Sequence, residues 1–229
     1  MAKISTGSYD INKWLYGGYE RDIISVIYGG PGTGKTNFCI LAAVSQARKG
    51  NKVIFMDSEG GFSTERVRQI APDDYENVLK NILLLKPTNF NEQKKDFEKL
   101  LEHLDKEVSL IIVDGMTILY RLDFAGAREK DEGEARKVSS ELARQLRILS
   151  EIARKKDIPV IVTNQVYNWE NGQKMVGGDI LNYWGKCLIE LVREKGRRVA
   201  FLRKHRNLPE TEFEFQIVDF GIRKKGFFT

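Results

Sequence analysis

Eight residues limit what this chain can fold into more tightly than any other stretch. Gly29 to Thr36 run Gly-Gly-Pro-Gly-Thr-Gly-Lys-Thr, the pattern G-x-x-x-x-G-K-[ST] of a phosphate-binding loop. The context is the one such a loop needs. Ile23, Ile24, Val26 and Ile27 read as a buried strand ending in glycine. Lys35 to Lys49 read as a helix, with Phe38, Leu41, Ala42 and Ser45 on one face and Gly50 as its stop. Glycines let backbone N–H groups curl around phosphate oxygens, and the helix N-terminus adds partial positive charge. Gly29, Gly30, Pro31, Gly32, Thr33, Gly34, Lys35, Thr36 and Asn37 are therefore the expected nucleotide-binding residues, with ATP and Mg²⁺ as cofactors. Lys35 should reach the β and γ phosphates, and the Thr36 hydroxyl should ligate Mg²⁺. A ligand-free glycine turn would share the composition but not this coincidence of strand, motif and helix.

Aliphatic strands alternate with helices through most of the chain. Val53–Met56, Ile82–Leu85, Leu110–Val113 and Val160–Val162 are short buried runs. Between them lie helical patterns at Glu65–Ile70, Phe90–Leu104 and Glu134–Lys156, the last with Val138, Leu142, Leu146, Leu149 and Ala153 on one stripe. Such alternation predicts an α/β fold with a mostly parallel central sheet and helices on both faces. After Gly178 the pattern changes. Leu188–Val192, Val199–Leu202 and Phe213–Val218 are successive strands, with Lys195-Gly196 as a hairpin turn, and predict an antiparallel C-terminal extension. No repeat or low-complexity linker interrupts the 229 residues, so one ATPase domain over 1–229 is expected.

Two carboxylates follow strands where a phosphate site can use them. Asp114 closes Leu110–Val113, where it can hold Mg²⁺ through its water shell. Glu59 follows the strand after the loop helix, in Met56-Asp57-Ser58-Glu59-Gly60-Gly61-Phe62. A carboxylate at that tip can orient and deprotonate an attacking water. A solvated loop acid is the alternative for Glu59.

Cys39 and Cys187 are the two cysteines, each in an apolar stretch without CxxC spacing, which points to core thiols in a reducing compartment. No signal segment opens the chain and no 18-residue apolar run occurs, so a cytoplasmic protein without membrane attachment is expected. The net charge of +5 allows a nucleic-acid partner without requiring one. Its distribution is uneven: Arg193 to Arg206 hold seven Arg or Lys against the single acid Glu194.

The segments Thr6-Gly7, Gly29–Thr36, Asp57-Ser58-Glu59-Gly60, Leu110–Asp114, Tyr120-Arg121, Thr163-Asn164-Gln165-Val166, Gly177-Gly178 and Leu208-Pro209-Glu210 occur in one order over almost the whole chain. In that order they resemble the RecA-like recombinases, and within them the short archaeal RadB-type paralogues. The resemblance implies a RecA-like P-loop NTPase core, with Lys35, Glu59 and Gln165 as catalytic residues. Glu59 would activate water, and Gln165 would sense the γ phosphate and lead into a DNA-binding loop. It also implies that Arg66 stacks on adenine; an exposed helix arginine is the alternative. Two flexible loops would line a DNA path that prefers single strands. One carries Tyr120, Arg121, Arg128 and Lys130; the other carries Tyr167, Trp169 and Lys174. The first also holds Asp123, Glu129, Asp131 and Glu132, and Trp169 also suits local packing.

Full recombinases carry a helical N-terminal domain and a polymerisation segment, and Lys3-Ile4-Ser5 offers no such segment. Filament formation and autonomous strand exchange are accordingly not expected. Lys204-His205-Arg206 looks like an element of replicative helicases and clock ATPases that points at a neighbour's γ phosphate. A solvated or DNA-facing basic turn explains the triplet equally well. Two functions compete. The first is an ATP- and DNA-binding accessory protein of homologous recombination and repair, with weak hydrolysis. Its partners would be the main recombinase, junction-processing enzymes and its own copies in a dimer or small ring. The second is a ring-forming motor ATPase that uses Lys204 and Arg206 in trans. In either case Lys35→Ala should abolish tight ATP binding, measured by titration calorimetry; undiminished affinity would remove Gly29–Thr36 as the site.

Overall fold

The computed structural model describes residues 2–169 and 172–226; the side chains of Lys130, Asn168, Trp169, Gln173 and Lys174 stand outside that description. A short ribbon of β1 (Lys3–Ile4) and β2 (Tyr19–Glu20) flanks α1 (Tyr9–Trp14). The alternating portion follows as β3 (Ile24–Gly29), α2 (Lys35–Ala47), β4 (Lys52–Asp57), α3 (Thr64–Ile70), α4 (Tyr75–Lys80), β5 (Ile82–Leu85), α5 (Phe90–Glu102), β6 (Val108–Asp114), α6 (Ile118–Lys130), α7 (Glu132–Lys156) and β7 (Val160–Asn164). A hairpin of β8 (Val166–Trp169) and β9 (Gly172–Met175) leads to α8 (Gly178–Trp184). The chain ends in β10 (Gly185–Glu194), β11 (Arg197–His205), β12 (Thr211–Val218) and β13 (Gly221–Lys224).

Among the described residues the main sheet has the order β13-β12-β11-β10-β3-β7-β6-β4-β5. The strands from β10 to β5 run parallel; β11, β12 and β13 add antiparallel neighbours at one side. Period-two alternation sends side chains to both faces. On β6, Leu110 and Ile112 join the core under α2, whereas Ile111 and Val113 join the core under α5 and α7. Both faces are covered, which is why these strands read as unbroken aliphatic runs. Parallel strands place their C-terminal ends together, and Gly29, Asp57, Asp114 and Asn164 arrive at one rim.

Most of the expected elements are present, with three corrections. β10 is antiparallel only to β11; on its other side it pairs in parallel with the phosphate-loop strand β3. The segment Tyr120–Gly133, expected as a flexible loop, is largely α6, because Tyr120 packs against Phe90 and Phe124 at ring distances of 6.0 and 5.5 Å. The loop after Gln165 is a two-stranded hairpin rather than irregular chain. The Lys195-Gly196 turn does join β10 to β11, with both residues at positive φ (48° and 78°), the conformation that suits a tight hairpin. Cys39 and Cys187 are free and buried, and burial pushes the Cys187 thiol up to about 12. Among the described residues no helix is long and apolar enough to cross a membrane.

The basic triplet at the end of β11 is engaged within the chain. Arg206 donates from Nε to Glu20 at 2.7 Å and pairs through its other nitrogens with Asp22. Glu20 is only 2% exposed, and Arg206 is its close ionic partner. The Arg206 guanidinium holds the Asp22 carboxyl below its ordinary range. That contribution is fully present above Asp22's ordinary value and is lost as pH falls through the depressed one. Arg206→Ala should lower unfolding stability by about 3 kcal/mol, by stranding a buried carboxylate, and should remove this acid-side loss. Urea denaturation at several pH values reads both effects.

Candidate nucleotide and DNA site

The phosphate loop closes between β3 and α2 because its glycines take conformations other residues avoid. Gly32 and Gly34 sit at φ of 69° and 114°, and Gly34 caps α2 without offering a side chain. No acid stands in the first turn of α2, so the helix terminus remains suited to an anion. Lys35 is 5% exposed and folds back into the loop, donating from Nζ to the carbonyls of Gly29 and Gly30, both at 3.0 Å. Burial lowers its pKa, while Glu59 and Asp114 oppose that shift.

Asp114 is fully buried at the end of β6. Its two oxygens accept from the Thr36 hydroxyl at 2.7 Å and the Thr163 hydroxyl at 2.6 Å. Burial raises its pKa and these two hydroxyls oppose the rise. Thr163 in turn accepts from the Gly115 N–H at 2.7 Å, so β6, β7 and α2 meet at one carboxylate. No cluster of three or more metal-ligating acids, histidines or cysteines occurs among the described residues. Thr36 and Asp114 are the residues that could hold a magnesium ion here, with phosphate oxygens and water to complete its shell.

Glu59 is placed by a neighbour that sequence reasoning passed over. Asp57, 3% exposed at the tip of β4, accepts from the N–H groups of Gly61 and Phe62 at 3.0 and 2.9 Å. This turn fixes the loop from which Glu59 faces the rim. Glu59 accepts from Gln165 Nε2 at 2.9 Å, and its pKa is raised by burial, with Lys35 pulling the other way. The Asp-x-Glu-Gly spacing before a short helix was the available signal for Asp57.

A cavity of about 540 Å³ opens along this rim. It is lined by Pro31, Gly32, Gly34, Lys35, Thr36, Asn37, Glu59 and Gln165, and also by Arg198 and Ile217. The last two were not expected. They lie far along the chain and reach the loop only because β10 pairs with β3, drawing β11 and β12 alongside. Arg66 lies beside the cavity. It donates to Asn37 Oδ1 at 2.8 Å and to the carbonyls of Val218 and Asp219 at 2.9 Å, which pins α3 to the β12–β13 turn. The glycine cradle, the buried amine, the hydroxyl–carboxylate pair and the size of the cavity suit a nucleoside triphosphate with Mg²⁺.

Of the residues expected to face DNA, Tyr120 packs into the core on the face of the sheet opposite to α2. Arg121 and Arg128 are exposed on α6, two helical turns apart and so on one face. Tyr120 and Tyr167 line a second cavity of about 690 Å³ with Tyr28, Leu142, Met175 and Asn182. The side chains of Lys130, Trp169 and Lys174 lie outside the described residues. Asn164 ties these parts to the phosphate rim: its Oδ1 accepts from the Thr117 hydroxyl at the start of α6, and its Nδ2 donates to Val176 at 2.8 Å. Of the basic triplet, Lys204 donates to the carbonyls of Asn182 and Gly185 at 2.7 and 2.9 Å, and His205 Nδ1 accepts from the N–H groups of Asn207 and Leu208.

Fold and site together define a RecA-like P-loop core: a largely parallel sheet with the glycine loop, a buried strand-end aspartate and a glutamate–glutamine pair at one rim. A solved structure described as the RadB recombinase superposes with a TM-score of 0.81 at 33% identity, covering 97% of this chain and all of that one. The sequence model of the Rad51 family matches residues 1–225. The DNA repair and recombination protein RadB of Methanocaldococcus jannaschii is 40% identical over 91% of this chain and 96% of its own length. That of Methanobrevibacter smithii is 38% identical over 96% and 95%. The chain belongs to the Rad51 family, in its RadB-type branch.

Gly115 offers a direct check on the glutamate. At φ 93°, a Cβ added there would stand 2.6 Å from Glu59 Cγ. Gly115→Ala should push Glu59 off the rim, lowering single-turnover hydrolysis about 10²-fold, as Glu59→Gln should, with ATP binding retained. An unchanged rate in both variants would take Glu59 out of catalysis.

Proposed function

We propose that this protein is an ATP- and DNA-binding accessory factor of homologous recombination and DNA repair. It would assist the main recombinase and use ATP chiefly as a conformational ligand. The names of its relatives support the process. The observation that carries the mechanism is a path that runs from Glu59 by hydrogen bond to Gln165, along the chain to Asn164, and by hydrogen bonds to Thr117 at the start of α6 and Val176 just after β9.

In this reading Lys35 and the loop N–H groups hold the phosphates, and Thr36 and Asp114 hold the metal. When bound, Mg²⁺ would supply neutralisation of phosphate charge. Glu59 accepts a proton from water, and Gln165, now bonded to Glu59, exchanges that partner for a γ-phosphate oxygen. Arg66 presents its guanidinium beside the base. Because Gln165 begins the segment that Asn164 anchors, a change at its side chain bears on Val176 and Thr117. Arg121, Arg128 and Lys130 on α6, with Tyr167, Trp169 and Lys174 on the hairpin, then form a path for single-stranded DNA. Slow hydrolysis fits this arrangement. A cation supplied in trans can raise phosphoryl-transfer rates by about 10³-fold or more, but Arg206 and Lys204 are engaged within their own chain. The same commitment disfavours the motor that uses them across a ring.

Fluorescence anisotropy with a labelled single-stranded oligonucleotide tests the reading. Affinity should rise with a non-hydrolysable ATP analogue and fall steeply with salt. It should drop when Tyr167–Lys174 are deleted. Asn164→Ala should keep DNA binding while losing its dependence on nucleotide. Affinity that ignores salt and survives the deletion would sink the DNA path; dependence on nucleotide that survives Asn164→Ala would sink the coupling.

A further inference from the structure

The arginines of β11 alternate in fate as they alternate in direction. Arg197 pairs with Glu214 at 2.7 Å and Arg203 with Glu190 at 2.6 Å, both near the surface. Arg198 differs. Its Nε is fully buried and has no hydrogen-bond partner among the described residues, yet the side chain lines the phosphate cavity with Lys35 and Thr36. A buried guanidinium nitrogen left unpaired is costly, more so than a neutral donor. A fold keeps such a group without loss only where something else supplies an acceptor.

The strand register explains how it reaches this place. Arg198 stands opposite Phe215 on β12 and opposite Arg193 on β10. Cross-strand partners share a face. Phe215 packs on Phe38 of α2 at 5.3 Å, so this is the face that carries the loop helix. Ile217, next on the same face of β12, stands 3.1 Å from where a Cβ on Gly34 would lie. Arg193 reaches the outer side of the loop, with Nη1 3.5 Å from the corresponding position on Gly32. The electrostatics of the cavity leave room for another cation. Among the described lining residues, Lys35 is accompanied by the Glu59 carboxylate, with Asp114 behind it, before any phosphate arrives.

We propose that Arg198 is a polyphosphate ligand supplied in cis, its guanidinium taking phosphate oxygens of the nucleotide held by Gly29–Thr36. This rests on the phosphate-loop reading and adds a second cation to it. It also gives the antiparallel half of the sheet a direct grip on the nucleotide. The recognised chemistry is the phosphate chain, not the base or the sugar, because the guanidinium is a planar donor fork suited to such oxygens.

Titration calorimetry with Mg-ATP and with Mg-tripolyphosphate, which lacks base and sugar, tests this on the whole chain. Arg198→Gln should weaken both ligands about 10-fold or more, and by similar factors. Arg198→Lys should recover part of each loss, since it keeps the charge but not the fork. The melting temperature of the nucleotide-free Arg198→Gln protein should hold or rise, since an unpaired buried nitrogen has gone; Arg198→Met serves if that variant does not fold. A loss confined to ATP would place the arginine on base or sugar and overturn the proposal. Unchanged affinity for both ligands would overturn it too. Lys35→Ala separates the two readings: if it abolishes ATP binding while Arg198→Gln leaves it intact, only the arginine's role falls. ATP binding that survives Lys35→Ala would bring down the phosphate-loop reading, and this one with it.

Discussion

A buried carboxylate organises the functional rim of this sheet. Asp114 has no solvent to stabilise its charge, so both oxygens must be satisfied from within. The hydroxyls that do so come from Thr36 at the start of α2 and Thr163 on β7. Three elements distant in sequence are thereby held in a fixed relation at the point where phosphates would sit. Thr163 extends the arrangement by accepting from Gly115, and Gly115 has no Cβ because Glu59 packs where one would project. Asp114 and Glu59 are thus registered against each other through a few short contacts.

From that rim, order passes outward along β7. Thr163, Asn164 and Gln165 are consecutive, yet each serves a different neighbour: the aspartate, the α6 and hairpin junctions, and the glutamate. Consecutive strand residues point to opposite faces, so one strand end can touch both the nucleotide side and the opposite layer. This alternation lets one strand end connect Glu59 at the phosphate rim with the start of α6 and the segment after β9.

The cations of the C-terminal strands divide by the company they keep. Arg206 neutralises a buried glutamate, Lys204 ties α8 to β10 through carbonyls, and Arg197 and Arg203 form surface pairs. A dense basic run is thus mostly consumed by structure. Charge counted along a sequence overstates what is available for ligands, because the acids that receive these cations lie elsewhere along the chain.

The residues alone determined the glycine loop between a strand and a helix, the positions of Asp114 and Glu59 beyond their aliphatic runs, and the parallel α/β architecture. Those signals are local: a glycine pattern between a strand and a helix, or a carboxylate ending an aliphatic run, carries its meaning within about ten residues. Short pieces such as α1, α4 and β13 were not legible, since too few residues repeat for a period to emerge. Tyr120–Gly133 read as a loop because its charges mask the packing of Tyr120 on Phe90, a contact made 30 positions away in the chain. Arg198 lay unnoticed inside a basic run, and the acids that Arg206 meets within its own chain could not be read from the triplet. Only the pairing of β10 with β3 brought Arg198 to the phosphate cavity, and only the return of β11 toward β2 gave Arg206 its acids. Periodicity fixes which way a side chain points, but the partner it meets depends on sheet order, and sheet order is set by the packing of the whole core.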